Sequence, residues 1–246
     1  MLKQFVAAVA GGLMIAIGGT VFLNSYISTQ NTYIGAFFFA VALVCICMKG
    51  YGLFTGRIGY LADNLTKAEL AGVSMTLLGN AASTFVIGAL FYRALPGSIG
   101  RVAEALMAAK LEASIGATLL RAVLCGVLMY LAVSTYREKN TVVGIVFCVP
   151  AFILAGFEHS IADMFYFAAS GFEGGLEGFA LLVLIILGNA VGGMLLPVLA
   201  WACKDAPTEE AEDEEKTDDE ADAEFEVEIE VTDDKAVNVT AEGDAE

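Results

Sequence analysis

Six long apolar runs restrict what this chain can fold into. An α-helix needs about 20 apolar residues to cross the hydrocarbon core of a bilayer. Lipid offers no hydrogen-bond partner to the backbone, so runs of this length and character must form helices. We therefore predict an all-α membrane protein with six transmembrane helices. The predicted spans cover residues 5–24, 33–61, 68–95, 114–136, 141–171 and 177–201, the second and fifth containing a break.

The charge of the chain is concentrated at its C-terminal end. Residues 208–246 contain 19 acidic residues and two lysines, a net charge of -17, whereas the whole chain has a formal net charge of -16. A segment this polar and this poor in aromatic residues does not bury a hydrophobic core. The sequence thus predicts a transmembrane channel domain at residues 1–204 and an acidic, disordered cytoplasmic tail at residues 205–246.

Two of the six apolar runs are interrupted in the middle. Gly50 and Gly52 break the second run, while Pro150 and the segment G-F-E-H-S-I-A-D-M, which begins at Gly156, break the fifth. Irregular backbone inside a bilayer costs several kcal/mol for each unpaired group, unless protein or cavity water satisfies it. Two such breaks indicate a cavity or a pore.

The breaks occupy matching places in the two halves of the chain. Each broken run is the middle one of three, and the third run of each half contains a Gly-Asn pair, with Asn80 in the first half and Asn189 in the second. Three spans is an odd number, so the second half must insert upside down relative to the first. This pattern predicts a 3+3 inverted repeat whose substrate path lies where the broken helices meet. We expect Asn80 and Asn189 to be structural residues at the helix breaks.

Basic residues near the ends of the runs indicate the orientation. With six spans both termini lie on one side, and cytoplasmic connections carry an excess of Lys and Arg. The larger group of basic residues then lies on or toward the cytoplasmic side. We predict a multi-pass protein of the cell membrane with cytoplasmic N- and C-termini. That group comprises Lys3, Arg57, Lys67, Arg137, Lys139 and Lys204.

Polar side chains within the apolar runs are the candidates for function. An ionisable residue inside lipid costs about 2.5–3.5 kcal/mol on insertion scales and normally faces a cavity, which predicts that His159 lines the pore. Thr55, in the other break, either contacts substrate or caps the following helix. Lys110, at the outer end of the fourth run, either attracts anions or extends to the interface. We expect Glu158 to satisfy backbone N–H groups freed at the break, and Asp163 to have a structural or a vestibule role.

The candidates that face the pore, His159, Thr55 and Lys110, favour a small anion over a cation, because they are basic or neutral donors and not a ring of carboxylates. An enzyme is disfavoured, since the single histidine belongs to no H-E-x-x-H motif and the chain has no G-x-S-x-G. The cysteines show no metal-binding spacing. A neutral-solute facilitator of the aquaporin type is the alternative, although neither half contains an Asn-Pro-Ala triplet.

Three motifs resemble those of the formate/nitrite transporter family, over about residues 1–203. The segment G-F-E-H-S-I-A-D-M resembles the fifth-span signature, with Asp163 where the family usually has Asn. L-F-T at 53–55 resembles the loop in the second span, and G-N-A-V-G-G at 188–193 resembles the sixth span. The resemblance implies a homopentamer of aquaporin-like protomers, each with a pore for formate, nitrite, hydrosulfide or related monovalent anions.

The resemblance also implies roles for single residues. His159 and Thr55 would be the central pair that contacts substrate, and Lys110 would be the basic residue of the outer vestibule. Apolar constrictions would flank the histidine. At His159 an anion would either receive a proton and cross as the neutral acid, or cross paired with imidazolium. The motif variants favour the hydrosulfide branch, and the acidic tail could bind a partner. The residues implied for the constrictions are Phe39, Leu43, Leu53 and Phe152.

Overall fold

The computed structural model describes residues 1–204, which form helices joined by short connections and contain no strand within that range. The predicted acidic tail, residues 205–246, lies outside the described residues. The prediction that it forms a separate region therefore stays a prediction.

Nine α-helices account for most of residues 1–204. Five of them are long and apolar enough to cross a membrane, namely α1, α2, α4, α6 and α9. In chain order the helices are α1 (Leu2–Thr29), α2 (Thr32–Lys49), α3 (Phe54–Arg57), α4 (Lys67–Ala94), α5 (Arg101–Leu111), α6 (Ile115–Lys139), α7 (Val143–Leu154), α8 (Ser160–Ala169) and α9 (Gly175–Lys204).

The two predicted breaks divide two spans into pairs of shorter helices. The second span consists of α2 followed by α3 and a 3-10 turn (Ile58–Leu61), and the fifth consists of α7 followed by α8. The prediction of an all-α membrane fold with two broken helices is confirmed, and the order of helices is consistent with six spans.

Helix α5 is the element that the sequence analysis missed. Eleven residues are too few to span a bilayer, and α5 packs instead against α8 in the connection between α4 and α6. Ala103 and Met107, four residues apart on one face, are fully buried, while Arg101 and Glu104 are exposed. Lys110 therefore lies on α5, and its predicted position at the end of the fourth span is wrong.

The backbone follows the same path at both breaks. Gly50 after α2 and Gly156 in the α7–α8 break each have φ of 67°, a left-handed conformation that favours glycine. Three residues later, Leu53 and His159 have extended backbones and immediately precede α3 and α8. At each break, a glycine in the left-handed conformation is followed by a short extended segment, and a new helix begins directly after it.

One asparagine on the third span of each half holds the broken backbone in place. Asn80 Nδ2 donates to the carbonyl oxygens of Ala8 and Gly52, at 2.7 and 2.8 Å, and Asn80 Oδ1 accepts from the Phe54 N–H at 2.9 Å. A primary amide is suited to this position because it both donates and accepts hydrogen bonds.

Asn189 makes the equivalent contacts in the second half. Its Nδ2 donates to the carbonyl oxygens of Ala122 and Glu158, both at 2.8 Å, and its Oδ1 accepts from the Ser160 N–H at 2.8 Å. The two asparagines use the same atoms to bond equivalent backbone groups in the two halves, as the inverted repeat predicts. They satisfy the backbone groups that a broken helix would leave unpaired in the bilayer.

Glycines allow the first and third spans of each half to approach closely. A Cβ atom on Gly12 would lie 2.6 Å from the Asn80 carbonyl oxygen, and a Cβ atom on Gly126 would lie 2.4 Å from that of Asn189. Small residues at helix crossings permit such packing in membranes. The close approach brings each asparagine within reach of the break that it holds.

Candidate pore and anion site

The two helix breaks meet at His159 and Thr55. Their side chains come from positions 104 residues apart in the chain, yet Thr55 Oγ1 lies 3.0 Å from His159 Nε2. Both residues are buried, with exposed fractions of 0% for Thr55 and 2% for His159. The fold therefore places two polar side chains together in the interior of the bundle, between the two halves of the repeat.

The hydrogen bonds of His159 define its protonation pattern. Nδ1 accepts from the Ala162 N–H at 3.1 Å, so the ring caps the start of α8. A nitrogen that accepts a hydrogen bond carries no proton, and the proton of a neutral imidazole therefore lies on Nε2. Nε2–H then donates to Thr55 Oγ1, and the Thr55 hydroxyl hydrogen remains available for another acceptor.

Apolar side chains enclose this pair from both sides. The Phe152 ring stacks on the His159 ring, with centroids 5.4 Å apart and planes inclined by 18°, and Phe39 meets Phe152 edge to face at 6.3 Å. Leu43 and Leu53 are also buried, with exposed fractions of 1% and 2%. All four residues named for the constrictions thus lie in the interior of the bundle, and their role as constrictions stays a prediction.

Two cavities are lined by residues of the two helix breaks. The smaller one, of about 100 Å³, is lined by His159, Phe39, Phe152 and Lys110; we refer to it as the outer cavity. The larger one, of about 530 Å³, is lined by Leu43 and Leu53 among others, and we refer to it as the inner cavity. The outer cavity is lined by His159 itself, and the inner cavity is lined by Leu53 and Gly56, which lie on either side of Thr55 in the chain.

The inner cavity brings together three basic residues that sequence reasoning used only for orientation. Lys3, Arg57 and Arg137 all line it, although they belong to α1, α3 and α6. Arg57 also forms an ion pair with Glu69 at 3.5 Å. Cations around a cavity mouth raise the local concentration of anions. The signal in the sequence was the excess of basic residues near span ends, but their convergence depends on the fold.

Lys110 and Asp163 of the outer cavity form a group of charges with the buried Glu158, and we call these three residues the outer charge cluster. Lys110 Nζ forms an ion pair with Glu158 Oε2 and lies 3.1 Å from Asp163 Oδ1. The side chains of Glu158 and Asp163 are 3% and 2% exposed. Neither carboxylate contact was foreseen, because α5, which carries Lys110, was not predicted as a separate helix.

The expected role of Glu158 is therefore wrong. Its carboxylate contacts Lys110, whereas the freed backbone groups at the break bond to Asn189. The physical reason is that these groups include carbonyl oxygens as well as an N–H. A carboxylate only accepts hydrogen bonds, whereas an amide can do both.

The arrangement offers hydrogen-bond donors among buried apolar side chains, and basic residues line both cavities. Within residues 1–204, no group of three or more His, Cys, Asp and Glu side chains is placed to hold a metal ion. Buried donors of this kind are suited to a small hydrogen-bond acceptor that exchanges its hydration shell for protein donors.

Comparison with known proteins identifies the family to which this arrangement belongs. A sequence profile described as "Formate/nitrite transporter" matches residues 1–203. The chain is 30% identical over 178 residues to the formate channel BtFdhC of Bacillus thuringiensis, covering 65% of this chain and 68% of that protein. It is 29% identical over 182 residues to the nitrite transporter NirC of Salmonella typhimurium, covering 66% and 67% respectively.

A solved structure shares the fold. The protein described as "Pentameric formate channel with formate bound" aligns with a TM-score of 0.70 at 20% identity, covering 82% of this chain and 97% of that one. The shared helix breaks, the apolar spans and the sequence match agree with one another. The chain is a multi-pass membrane protein and belongs to the formate/nitrite transporter family.

Proposed function

We propose that this protein conducts small monovalent anions, such as formate and nitrite, across the cell membrane through a pore in each protomer. The observation that carries the proposal is the buried Thr55–His159 pair, with one cavity lined by His159, another lined by the chain neighbours of Thr55, and basic residues in the lining of each. Relatives named as a formate channel and a nitrite transporter support this substrate class. Hydrosulfide shares the small size and single charge, and it stays a prediction from the motif variants. We propose no enzymatic activity.

The residues divide the transport path into steps. An anion collects at the inner cavity beside Lys3, Arg57 and Arg137, or at the outer cavity beside Lys110. It then loses water at the apolar constrictions. A bare anion in an apolar environment is very costly, so the passage requires a hydrogen-bond partner at its narrowest point. We assign that role to His159 Nε2–H and the Thr55 hydroxyl.

The hydrogen bond from Ala162 bears on how His159 acts. A second proton on the ring would have to bind Nδ1, which already accepts from the Ala162 N–H. Protonation would break this bond and place a positive charge at the positive end of the α8 dipole. We therefore favour a neutral His159 that donates from Nε2. Both routes considered from the sequence, a proton relay and an imidazolium ion pair, need the doubly protonated ring.

We further propose a homopentamer with cytoplasmic termini. The structural relative described as pentameric supports the assembly. Lys3, Arg57 and Arg137 converge on the inner cavity, and basic residues concentrate on the cytoplasmic side of membrane proteins, which supports a cytoplasmic inner cavity.

Flux measurements on purified protein in liposomes test the role of the central pair. We expect His159→Phe and Thr55→Val to reduce formate flux by about 10- to 100-fold, because a hydrogen bond to a charged partner contributes about 1.5–3 kcal/mol. His159→Asn keeps an N–H donor that does not titrate, so it should retain more flux than His159→Phe. Thr29→Val, at an exposed position of α1, is the matched control for Thr55→Val.

The pH profile of His159→Asn separates the mechanisms. A neutral donor predicts that this variant keeps the profile of the natural protein, whereas a titrating histidine predicts that it loses the pH dependence. Glycerol flux in the same liposomes tests the neutral-solute alternative. If His159→Phe and Thr55→Val both conduct formate at the natural rate, the pair has no part in transport.

A further inference from the structure

The outer charge cluster has one positive group for two negative groups. Lys110 contacts both Glu158 and Asp163, and within residues 1–203 no other Lys, Arg or His side chain lies within ion-pair distance of either carboxylate. With both carboxylates ionised the cluster carries a net charge of −1. An uncompensated charge is strongly disfavoured in a buried site of low dielectric constant.

Asp163 differs from Glu158 in its relation to the outer cavity. Asp163 lines that cavity together with Lys110 and His159, whereas Glu158 does not. The Oδ1 atom of Asp163 pairs with Lys110, but its buried Oδ2 atom has no hydrogen-bond partner among the described residues. A buried carboxylate oxygen without a donor is the place where the cluster can take up a proton.

We propose that Asp163 is a proton-binding residue of the outer cavity, which accepts a substrate anion from this side when the Asp163 carboxyl group is protonated. The proposal rests on the proposed function. A proton from the outer solution binds at Oδ2 and later returns to solution, so one O–H bond forms and breaks and nothing is oxidised or reduced.

The charge of the cluster links this proton to the substrate. When Asp163 is protonated, Glu158 compensates Lys110, and the Asp163 O–H is available to donate to an anion. When Asp163 is ionised, the net charge of −1 repels an anion that approaches His159. Anion and proton therefore occupy the outer cavity together, and protonation of Asp163 controls access to the Thr55–His159 pair.

The other groups around Asp163 do not supply a further charge. Cys125 of α6 and Tyr166 of α8 are near it, and both side chains are neutral at neutral pH. His159 is held as a neutral ring by its bond from Ala162. The helices α1, α3, α4 and α5 also pack against α8. Arg57 of α3 is paired with Glu69 of α4, and apart from Lys110 the other charged residues of these helices are exposed. These exposed residues are Lys3, Lys67, Glu69, Arg93, Arg101 and Glu104.

Formate flux through Asp163→Asn tests the proposal, because asparagine has nearly the same shape and does not titrate. Liposomes are given equal internal and external pH, so that the orientation of insertion has no effect. The quantity measured is the flux of the variant divided by the flux of the natural protein at each pH. The protonation of formate changes with pH in the same way for both proteins, so its effect on flux cancels in this ratio. We expect a ratio near one at about pH 5 that rises to on the order of tenfold at about pH 8.

Two controls make the result specific. Glu104→Gln removes an exposed carboxylate from α5, the helix that carries Lys110, and its ratio should stay near one at every pH. Asp163→Glu keeps a titrating carboxyl group and should keep a pH-dependent flux. If the natural protein conducts formate but the ratio for Asp163→Asn is the same at every pH, the proposal about Asp163 is wrong. If the natural protein gives no more formate flux than empty liposomes, the proposed function is wrong instead.

Infrared spectroscopy gives a measurement that does not depend on the folding of the variant. The natural protein should show the C=O stretching band of a protonated carboxyl group, and this band should disappear between about pH 5 and pH 8. Asp163→Asn, where it folds, should lack the band. If the natural protein shows no protonated carboxyl group that titrates in this range, the proposal is wrong.

Discussion

The neutral form of His159 follows from a backbone contact and not from the nature of histidine. Imidazole titrates near neutral pH in water, so the sequence suggests a proton carrier. In the structure the ring is a helix cap, because Nδ1 accepts from the Ala162 N–H and only Nε2 is directed at Thr55. The ring therefore serves as a fixed donor between the Phe152 face and Thr55. Whether a residue carries protons depends on which of its atoms are already bonded.

Asn189 shows how much of the site depends on one residue that touches no substrate. We expect Asn189→Leu to leave the Ser160 N–H and the carbonyls of Glu158 and Ala122 without partners. Each orphaned buried group costs about 1–3 kcal/mol, which is large compared with the 5–15 kcal/mol stability of typical proteins. The thermal unfolding midpoint in detergent should fall sharply. Asn24→Leu, at an exposed position, is the control, and equal midpoints for the two variants would contradict this role.

At the scale of elements, the breaks are held by helix packing as well as by hydrogen bonds. Asn189 reaches the α7–α8 break because α9 lies against α6 at Gly126. The corresponding contact in the first half is between Gly12 and Asn80. Both halves of the inverted repeat thus contain a close helix crossing, and in each half this crossing positions the asparagine side chain.

We predict that Gly126→Ala disturbs the site from a distance. The added Cβ atom would lie 2.4 Å from the Asn189 carbonyl oxygen and 2.8 Å from the Gly193 backbone nitrogen, so α6 and α9 must separate. Overpacking of this kind costs about 1–3 kcal/mol. Both the unfolding midpoint and the formate flux should fall.

Gly116→Ala provides the matched control on the same helix, since nothing lies within 4 Å of its Cβ position. It should behave as the natural protein does in both measurements. If Gly126→Ala is also unaffected, the close crossing of α6 and α9 has no part in holding the α7–α8 break.

At the scale of the whole molecule, the pore and the acidic tail are separable in sequence. The family match covers residues 1–203, and every residue that we assign to transport lies within that range. Large apolar side chains such as Phe37, Phe147 and Leu176 are exposed on the surface of the single protomer, as expected of a surface that meets lipid or neighbouring protomers.

We expect a chain that lacks residues 208–246 to assemble and to conduct formate at nearly the natural rate, because every residue that we assign to transport lies within residues 1–203. Native mass spectrometry should give a pentamer for both chains, and flux per pentamer in liposomes is the measurement. Normal assembly with abolished flux would instead make the tail part of the transport machinery.

The sequence alone determined the class of fold and the location of the breaks. These features depend on local signals, which are the lengths of the apolar runs, the positions of glycine and proline, and the repeated Gly-Asn pairs. They are informative because a backbone in lipid must satisfy its hydrogen bonds internally, which permits few structures. The family resemblance added the residues of the pore. The structure bears out the broken spans, and it places Thr55 against His159 as the inverted repeat leads one to expect.

The tertiary structure decided what no local pattern contains. The partner of a polar side chain depends on which helices pack together, so the pairing of Lys110 with Glu158 and Asp163 and the bond that fixes the His159 ring could not be predicted. Helix α5 escaped prediction for the same reason, since eleven residues of moderate polarity form a stable helix only when packed against α8. Long-range contacts therefore determine which charged side chains are paired, whereas the local sequence determines where the helices break.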